Sequence, residues 1–166
     1  MSIIRKLASG DVTDSFQCGK IALDHYLQRY AWINQKANSA QTYVVMVDDA
    51  IVGYYSLSVA GVDWANAPYR ISRGLARHSV PVMLLARLAV HLDWQGKGFG
   101  KVMLRDALLR TLQAADIAGI RAILVQAKDE SARQWYLHWN FEPSPTNPLH
   151  LFLLLKDIQH AITVAP

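Results

Sequence analysis

The sequence predicts an α/β (α+β) fold, a mixed central sheet with helices packed on its faces. Three observations lead there. Short apolar runs rich in β-branched and aromatic residues recur along the 166-residue chain. Between them lie segments with apolar residues at helical spacing. One pair of runs is joined by so few residues that an antiparallel hairpin is the natural connection.

Taken in order, "SIIRKLA" reads as a first strand. "GKIALDHYLQRYAWINQKAN" reads as one helix with Leu23, Leu27, Tyr30 and Ala31 on a common face. "QTYVVMV" and "IVGYYSLSV" form the hairpin, turned by "DDA". Asp63 to Ser79 is irregular or briefly helical. "PVMLLARLAVHL" is a long buried strand. The next helix carries Leu104, Leu108 and Leu112 on one stripe beside Met103 and Ala107, with Arg105, Asp106 and Arg110 towards solvent. "RAILVQAK" is another buried strand, and "DESARQWYLHW" is a short helix with Asp129 as its N-cap. "LHLFLLLKDI" closes the sheet. No repeat, linker or low-complexity tract interrupts the series, so residues 1–166 read as a single domain.

Composition narrows the function classes. Hydrophobic residues make up 52% of the chain, which points to a packed core. No apolar run has the length of a bilayer span, and the first residues lack a signal-peptide core, so a cytoplasmic protein without membrane contact is expected. The single cysteine, Cys18, cannot form an internal disulfide and reads as a small core residue. The net charge of +4 leans weakly towards polyanions. Its distribution says more: Tyr69 to His78 holds Arg70, Arg73, Arg77 and His78 with no acid.

The most informative stretch is "DWQGKGFG", Asp93 to Gly100, between the long strand and a helix. It is not a Walker A loop, because Lys97 is followed by glycine rather than Ser or Thr. It is a poor Rossmann fingerprint, because position 101 is lysine. The pattern that fits is Gln95-x-x-Gly98-x-Gly100. Glycines there let main-chain N–H groups approach a diphosphate at a helix N-terminus, with no metal required.

This motif, after a strand ending "LARLAV", resembles the acyl-CoA signature of the GNAT N-acetyltransferases. So does the helix that carries Tyr136 five residues before Phe141, although Asn140 replaces the usual glycine. Asn tolerates the left-handed conformation of a helix C-terminus, so that departure costs little. The resemblance spans roughly residues 3 to 158. It implies a GNAT fold, with a mixed, mostly antiparallel central sheet splayed between its fourth and fifth strands and helices on both faces. It implies acetyl-CoA as co-substrate, held by Gln95, Gly96, Lys97, Gly98, Phe99, Gly100 and Lys101 at the phosphates. Leu88, Ala89 and Val90 would lie along the pantetheine arm, where a backbone N–H polarises the thioester carbonyl. Tyr136 would be the catalytic general acid towards the leaving thiolate. No general base stands in a motif of its own. Glu142, Asp129, Asp63 and several histidines are open candidates, and an acceptor as weakly basic as an aminoacyl ester needs little more than water.

"CGKIALDHYLQRYAWINQ", "PVMLLARLAVHLDWQGKGFG" and "WYLHWNFEPSPTNPLHLFLLLKDI" are similar to one branch of the superfamily, the toxin acetyltransferases of type II toxin–antitoxin pairs. That branch implies acetylation of the amino acid on charged tRNA and a block of translation. It also implies a ribbon-helix-helix antitoxin, operator DNA bound only through the antitoxin complex, and a homodimer. Arg70, Arg73 and Arg77 become candidates for the tRNA acceptor stem. Arg87, charged inside an apolar strand, suits a cleft near substrate or a dimer interface. Two other readings fit the same loop: an acetyltransferase for a protein N-terminus or small amine, and a non-catalytic CoA-binding co-repressor module.

Overall fold

The computed structural model describes residues 2–164. Its seven strands are β1 (Ser2–Lys6), β2 (Gln41–Val47), β3 (Ala50–Val62), β4 (Val80–Val90), β5 (Ala122–Gln126), β6 (Glu142–Pro143) and β7 (His150–Leu154). They form one sheet in the order β1-β2-β3-β4-β5-β7-β6. The pairs β1–β2, β2–β3, β5–β7 and β6–β7 are antiparallel, and β4–β5 is parallel. That parallel register runs from Val82↔Ala122 to Leu85↔Val125, whereas β4 itself continues to Val90. The fourth and fifth strands therefore pair only along the first part of β4, as the expected splay requires. Among the described residues no helix is long and apolar enough to cross a membrane.

The chain packs as two compact units, Met1–Ser58 with Ala86–Ala107, and Val59–Leu85 with Leu108–Pro166. The first is organised around Phe16, Tyr26, Leu27, Ala31, Val44, Tyr54 and Ala89. Cys18 is buried in the same cluster, as its reading as a core residue required. The second is organised around Ile71, Val80, Val82, Leu124, Phe152 and Leu154.

The hairpin forms as the sequence predicts. Asp48 and Asp49 both take positive φ, 48° and 64°, so β2 and β3 are joined by a two-residue turn of the kind that matches strand twist. The first helix is more complicated than its periodicity suggests. It comprises α1 (Ile21–His25), a π-helical turn (Tyr26–Tyr30) and α2 (Ala31–Lys36). The wider turn shifts the inward face, so Tyr26 is buried while Tyr30 is 55% exposed. Tyr30 therefore does not share the core face with Leu27 and Ala31.

Four further expectations change. The last strand stops at Leu154, and "LKDI" opens α6 (Leu155–Val164), where helical spacing buries Ile158. The edge of the sheet is the two-residue β6, which pairs with β7. In α4 (Phe99–Ala115) the buried stripe runs through Met103, Leu104, Ala107, Leu108 and Thr111, while Leu112 is half-buried. Asp106 is not given over to solvent, because its carboxylate accepts a hydrogen bond from the Tyr55 hydroxyl.

A bidentate ion pair ties β1 to the loop behind it. Arg5 donates to both Asp11 carboxylate oxygens at 2.8 Å, and the Ala8 N–H donates to Asp11 at 2.7 Å. The Arg5 bond, with help from the Ala8 amide, holds the Asp11 pKa below the usual carboxylate range. A depressed carboxylate pKa contributes stability above the unfolded value, and that stability is lost as pH falls through the folded value. Asp11→Asn is therefore expected to lower stability by about 1 kcal/mol at pH 7, since Arg5 is part-exposed, and by progressively less below about pH 4. Thermal melts of both proteins across pH 3–7 check this.

Candidate active site

The loop after β4 is fixed by main-chain carbonyls from elsewhere in the chain and by its own His91 and Gln95 side chains. The His91 N–H donates to Val52 O at 2.8 Å, and the Leu92 N–H donates to Gln17 O at 2.8 Å. A 3-10 turn (Leu92–Trp94) follows, with the His91 ring accepting from the Asp93 N–H. The Gln95 carboxamide then donates to Cys18 O and to Val90 O, both at 2.9 Å. Gln95 thus bridges the end of β4 and the segment that leads into α1. The sequence reading gave the phosphate contact to this motif as a whole. The structure shows that the glutamine side chain holds the loop in shape.

Beyond Gln95 the main chain turns sharply. Gly96 and Gly98 have φ of 76° and 87°, which favour glycine strongly. A Cβ at either position would meet nothing within 4 Å. The first bond of α4 runs from the Val102 N–H to Gly98 O at 3.2 Å. Among the described residues, no main-chain oxygen accepts from the amides of Gly96, Lys97, Gly98, Phe99 or Gly100. Unpaired donors, open space and the positive end of a 17-residue helix together fit a diphosphate. Lys97 Nζ lies 4.9 Å from the Trp94 ring centroid, which keeps a cation beside the loop. Behind the loop, Gly53 lets β3 approach β4. An added Cβ there would meet Met103 at 3.0 Å and Ala89 O at 3.2 Å.

Tyr136 belongs to the second unit. It lies on α5 (Glu130–His138), whose N-cap is Asp129, accepting from the Ala132 N–H at 2.8 Å. Asn140 ends that helix with φ of 69°, in the left-handed role expected of it. The Tyr136 ring packs edge-on against Trp135 and Phe141, at centroid distances of 5.0 and 5.3 Å. Only 8% of the residue is exposed, and burial pushes its phenol well above the usual tyrosine range. Among the described residues nothing hydrogen-bonds its hydroxyl. A phenol so placed keeps its proton and has it to give.

The candidate bases are partly spent. Glu142 accepts from Arg70 at 2.8 Å, and Asp129 caps α5. The basic stretch is likewise divided. Arg70, on α3 (Tyr69–Ser72), is paired with Glu142 and, at 3.0 Å, with Asp157. Arg77 lies over the Trp64 ring at 4.9 Å. Arg73 and His78 are exposed. Arg121 adds a cation the sequence reading did not single out, donating to Ile71 O and Arg73 O at 2.8 and 3.2 Å. Arg87 lies in the first unit, half-buried, with its guanidinium 3.7 Å from the centroid of the Tyr26 ring. Nothing in the sequence points to Tyr26 in that place, because helical periodicity does not anticipate a π turn.

The acetyltransferase (GNAT) domain pattern matches residues 38–143, which include the strand, the loop, α4 and the tyrosine helix. The chain belongs to the GNAT acetyltransferase family. This GNAT acetyltransferase is 44% identical over 158 residues to the tRNA-acetylating toxin of Mycobacterium tuberculosis, covering 95% of both chains. Its fold is that of AtaT complexed with acetyl-methionyl-tRNAfMet, with a TM-score of 0.88 at 24% identity, over 96% of this chain and 98% of that one. It is also that of a tyrosine-to-phenylalanine mutant of AtaT bound to acetyl-CoA and to the C-terminus of the antitoxin AtaR. That likeness has a TM-score of 0.83 at 24% identity, over 98% of this chain and 99% of that one.

Proposed function

We propose that this GNAT acetyltransferase is a toxin acting as a single domain, transferring acetyl from acetyl-CoA to the α-amine of the amino acid on charged tRNA and so blocking translation. The observation that carries the reading is its 44% identity, across 95% of the chain, to a tRNA-acetylating toxin. A ribbon-helix-helix antitoxin would neutralise it, and the two together would repress their operon. It would act as a homodimer in the cytoplasm, where charged tRNA is found.

In this reading the amides of Gly96 to Gly100 receive the diphosphate, with Lys97 and Lys101 adding positive charge. Leu88, Ala89 and Val90 lie along the pantetheine arm, and a main-chain N–H among them polarises the thioester carbonyl. The neutral α-amine attacks that carbonyl carbon. A C–N bond forms, the C–S bond breaks, and the thiolate takes the Tyr136 proton while the new ammonium loses one to water. An aminoacyl ester lowers the pKa of its own amine, so water suffices as the proton acceptor. Arg73 and Arg77, with Arg70 behind them, offer positive charge to the acceptor stem.

Incubation with labelled acetyl-CoA and total charged tRNA tests this, with the same tRNA deacylated as control. Label is expected only on charged tRNA, and it should leave with the amino acid on mild alkaline hydrolysis. Label on ribosomal proteins or small amines alone would retain the acetyltransferase and remove the tRNA claim.

A further inference from the structure

Arg87 lies on β4 one residue before the segment given above to the pantetheine arm, on the strand face it shares with Leu85 and Ala89. Ala89 and Tyr26 belong to one core cluster, so this face is packed against the first helix. The π turn brings Tyr26 under the guanidinium. Tyr26 is held in turn. It stacks on Tyr54 with ring planes 18° apart and centroids at 6.3 Å, and its hydroxyl accepts from Asn34 Nδ2 at 3.3 Å. Tyr54 is fully buried and donates to Leu23 O at 2.6 Å.

The ring attracts the cation but accepts from none of its N–H donors. Among the described residues no carboxylate or carbonyl accepts from Arg87 either. The acid of the first helix and the nearby phenol bind elsewhere or stay neutral. Asp24 accepts from the Cys18 N–H at 2.9 Å. Burial keeps the Tyr54 phenol protonated, an effect the charge of Arg87 only partly offsets. A half-buried, pre-oriented guanidinium with open donors is built to complete itself on an anion, and its planar fork matches phosphate.

Two phosphate sources are at hand, acetyl-CoA and RNA. The CoA diphosphate already has the amides of Gly96 to Gly100. Arg87 stands back from the end of β4 by about 10 Å at a strand's rise per residue, on the thioester side of the arm. The phosphodiester nearest the aminoacyl ester lies one ribose from the reacting amine. We propose that Arg87, positioned by Tyr26, binds a phosphodiester oxygen at the 3′ end of charged tRNA and so sets where the amine meets the thioester. This rests on the reading of charged tRNA as acceptor.

Steady-state kinetics of the full chain with charged tRNA and acetyl-CoA test it. Arg87→Gln is expected to raise KM for charged tRNA about 10-fold and to leave KM for acetyl-CoA within about 2-fold. The plot of log kcat/KM for tRNA against log salt should become shallower by about 0.7, the share of one single-strand phosphate. An aminoacyl ester of adenosine, which lacks the phosphate, should be acetylated equally by Arg87→Gln and wild type. Tyr26→Leu should reproduce a smaller rise in tRNA KM, and Tyr26→Phe, which keeps the ring, should restore it. Should Arg87→Gln misfold, Arg87→Lys and the Tyr26 pair carry the same comparison. A rise in acetyl-CoA KM instead would give the anion to CoA and overturn the proposal, as would equal losses on the phosphate-free ester. If wild type puts no label on charged tRNA, the acceptor reading falls and this inference with it. If wild type labels tRNA and the variants match it, only this inference falls.

Discussion

Tyr136→Phe is expected to lower kcat about 100-fold, at the modest end of what general-acid catalysis supplies. The dissociation constant for acetyl-CoA should stay near that of wild type. The division follows from what the side chain touches. Its ring is packed edge-on against Trp135 and Phe141, contacts a phenylalanine keeps. Its hydroxyl has no hydrogen-bond partner among the described residues, so the substitution breaks no internal bond and should leave the melting temperature nearly unchanged. In the proposed mechanism the substitution removes the proton for the departing thiolate, needed only as the C–S bond breaks. Burial raises the phenol's pKa, so the acid form persists through neutral and mildly alkaline pH. No fall in kcat assignable to Tyr136 is then expected between pH 7 and 9. Rapid-quench turnover with equilibrium binding of acetyl-CoA separates the two quantities. Full turnover in the mutant would remove Tyr136 from the mechanism.

The parts legible in the sequence are those governed by local chemistry. Asp48-Asp49 announces a turn because short acidic side chains tolerate positive φ, and the hairpin follows. Asn140 announces a left-handed helix end for the same reason. Gln95-x-x-Gly98-x-Gly100 announces a tight glycine turn into a helix, and Gly96 and Gly98 take it with positive φ. The parts not legible depend on partners far along the chain. Nothing near Gln95 says that its carboxamide will reach Cys18 O. Nothing near Arg70 says that Glu142 and Asp157 will converge on it, which makes it a weaker lure for RNA than its neighbours suggest. The π turn is a third case. One extra residue in a turn exchanges Tyr30 for Tyr26 on the inner face, and a strict 3.6-residue count cannot register the exchange.

Gly98→Ala is expected to weaken acetyl-CoA binding about 10- to 100-fold, the loss of one charge-assisted hydrogen bond or slightly more. Space is not the obstacle, since a Cβ at Gly98 meets nothing within 4 Å. The cost lies in the backbone, where φ of 87° is strained for any L side chain by about 1–2 kcal/mol. The loop can relieve that strain by rotating the peptides on either side, which swings the amides of Gly98 and Phe99 away from a common point. Alternatively it keeps its shape, and the new methyl group projects beside the amides. Either course harms the anion more than the fold. Gly74 supplies the control, with φ of 79° and equally open space, but the Arg73 and Leu75 amides on either side of it are paired with Tyr69 O and Ser72 O. Gly74→Ala should show a similar drop in melting temperature and wild-type affinity for acetyl-CoA. Calorimetric titration of both variants decides the matter. Equal affinities would mean that the glycines only shape the chain, and that the diphosphate is held by the lysines or elsewhere. A selective loss at Gly98 would place the phosphates on the main chain itself, where Gln95 and the N-terminus of α4 hold the donors ready before any ligand arrives.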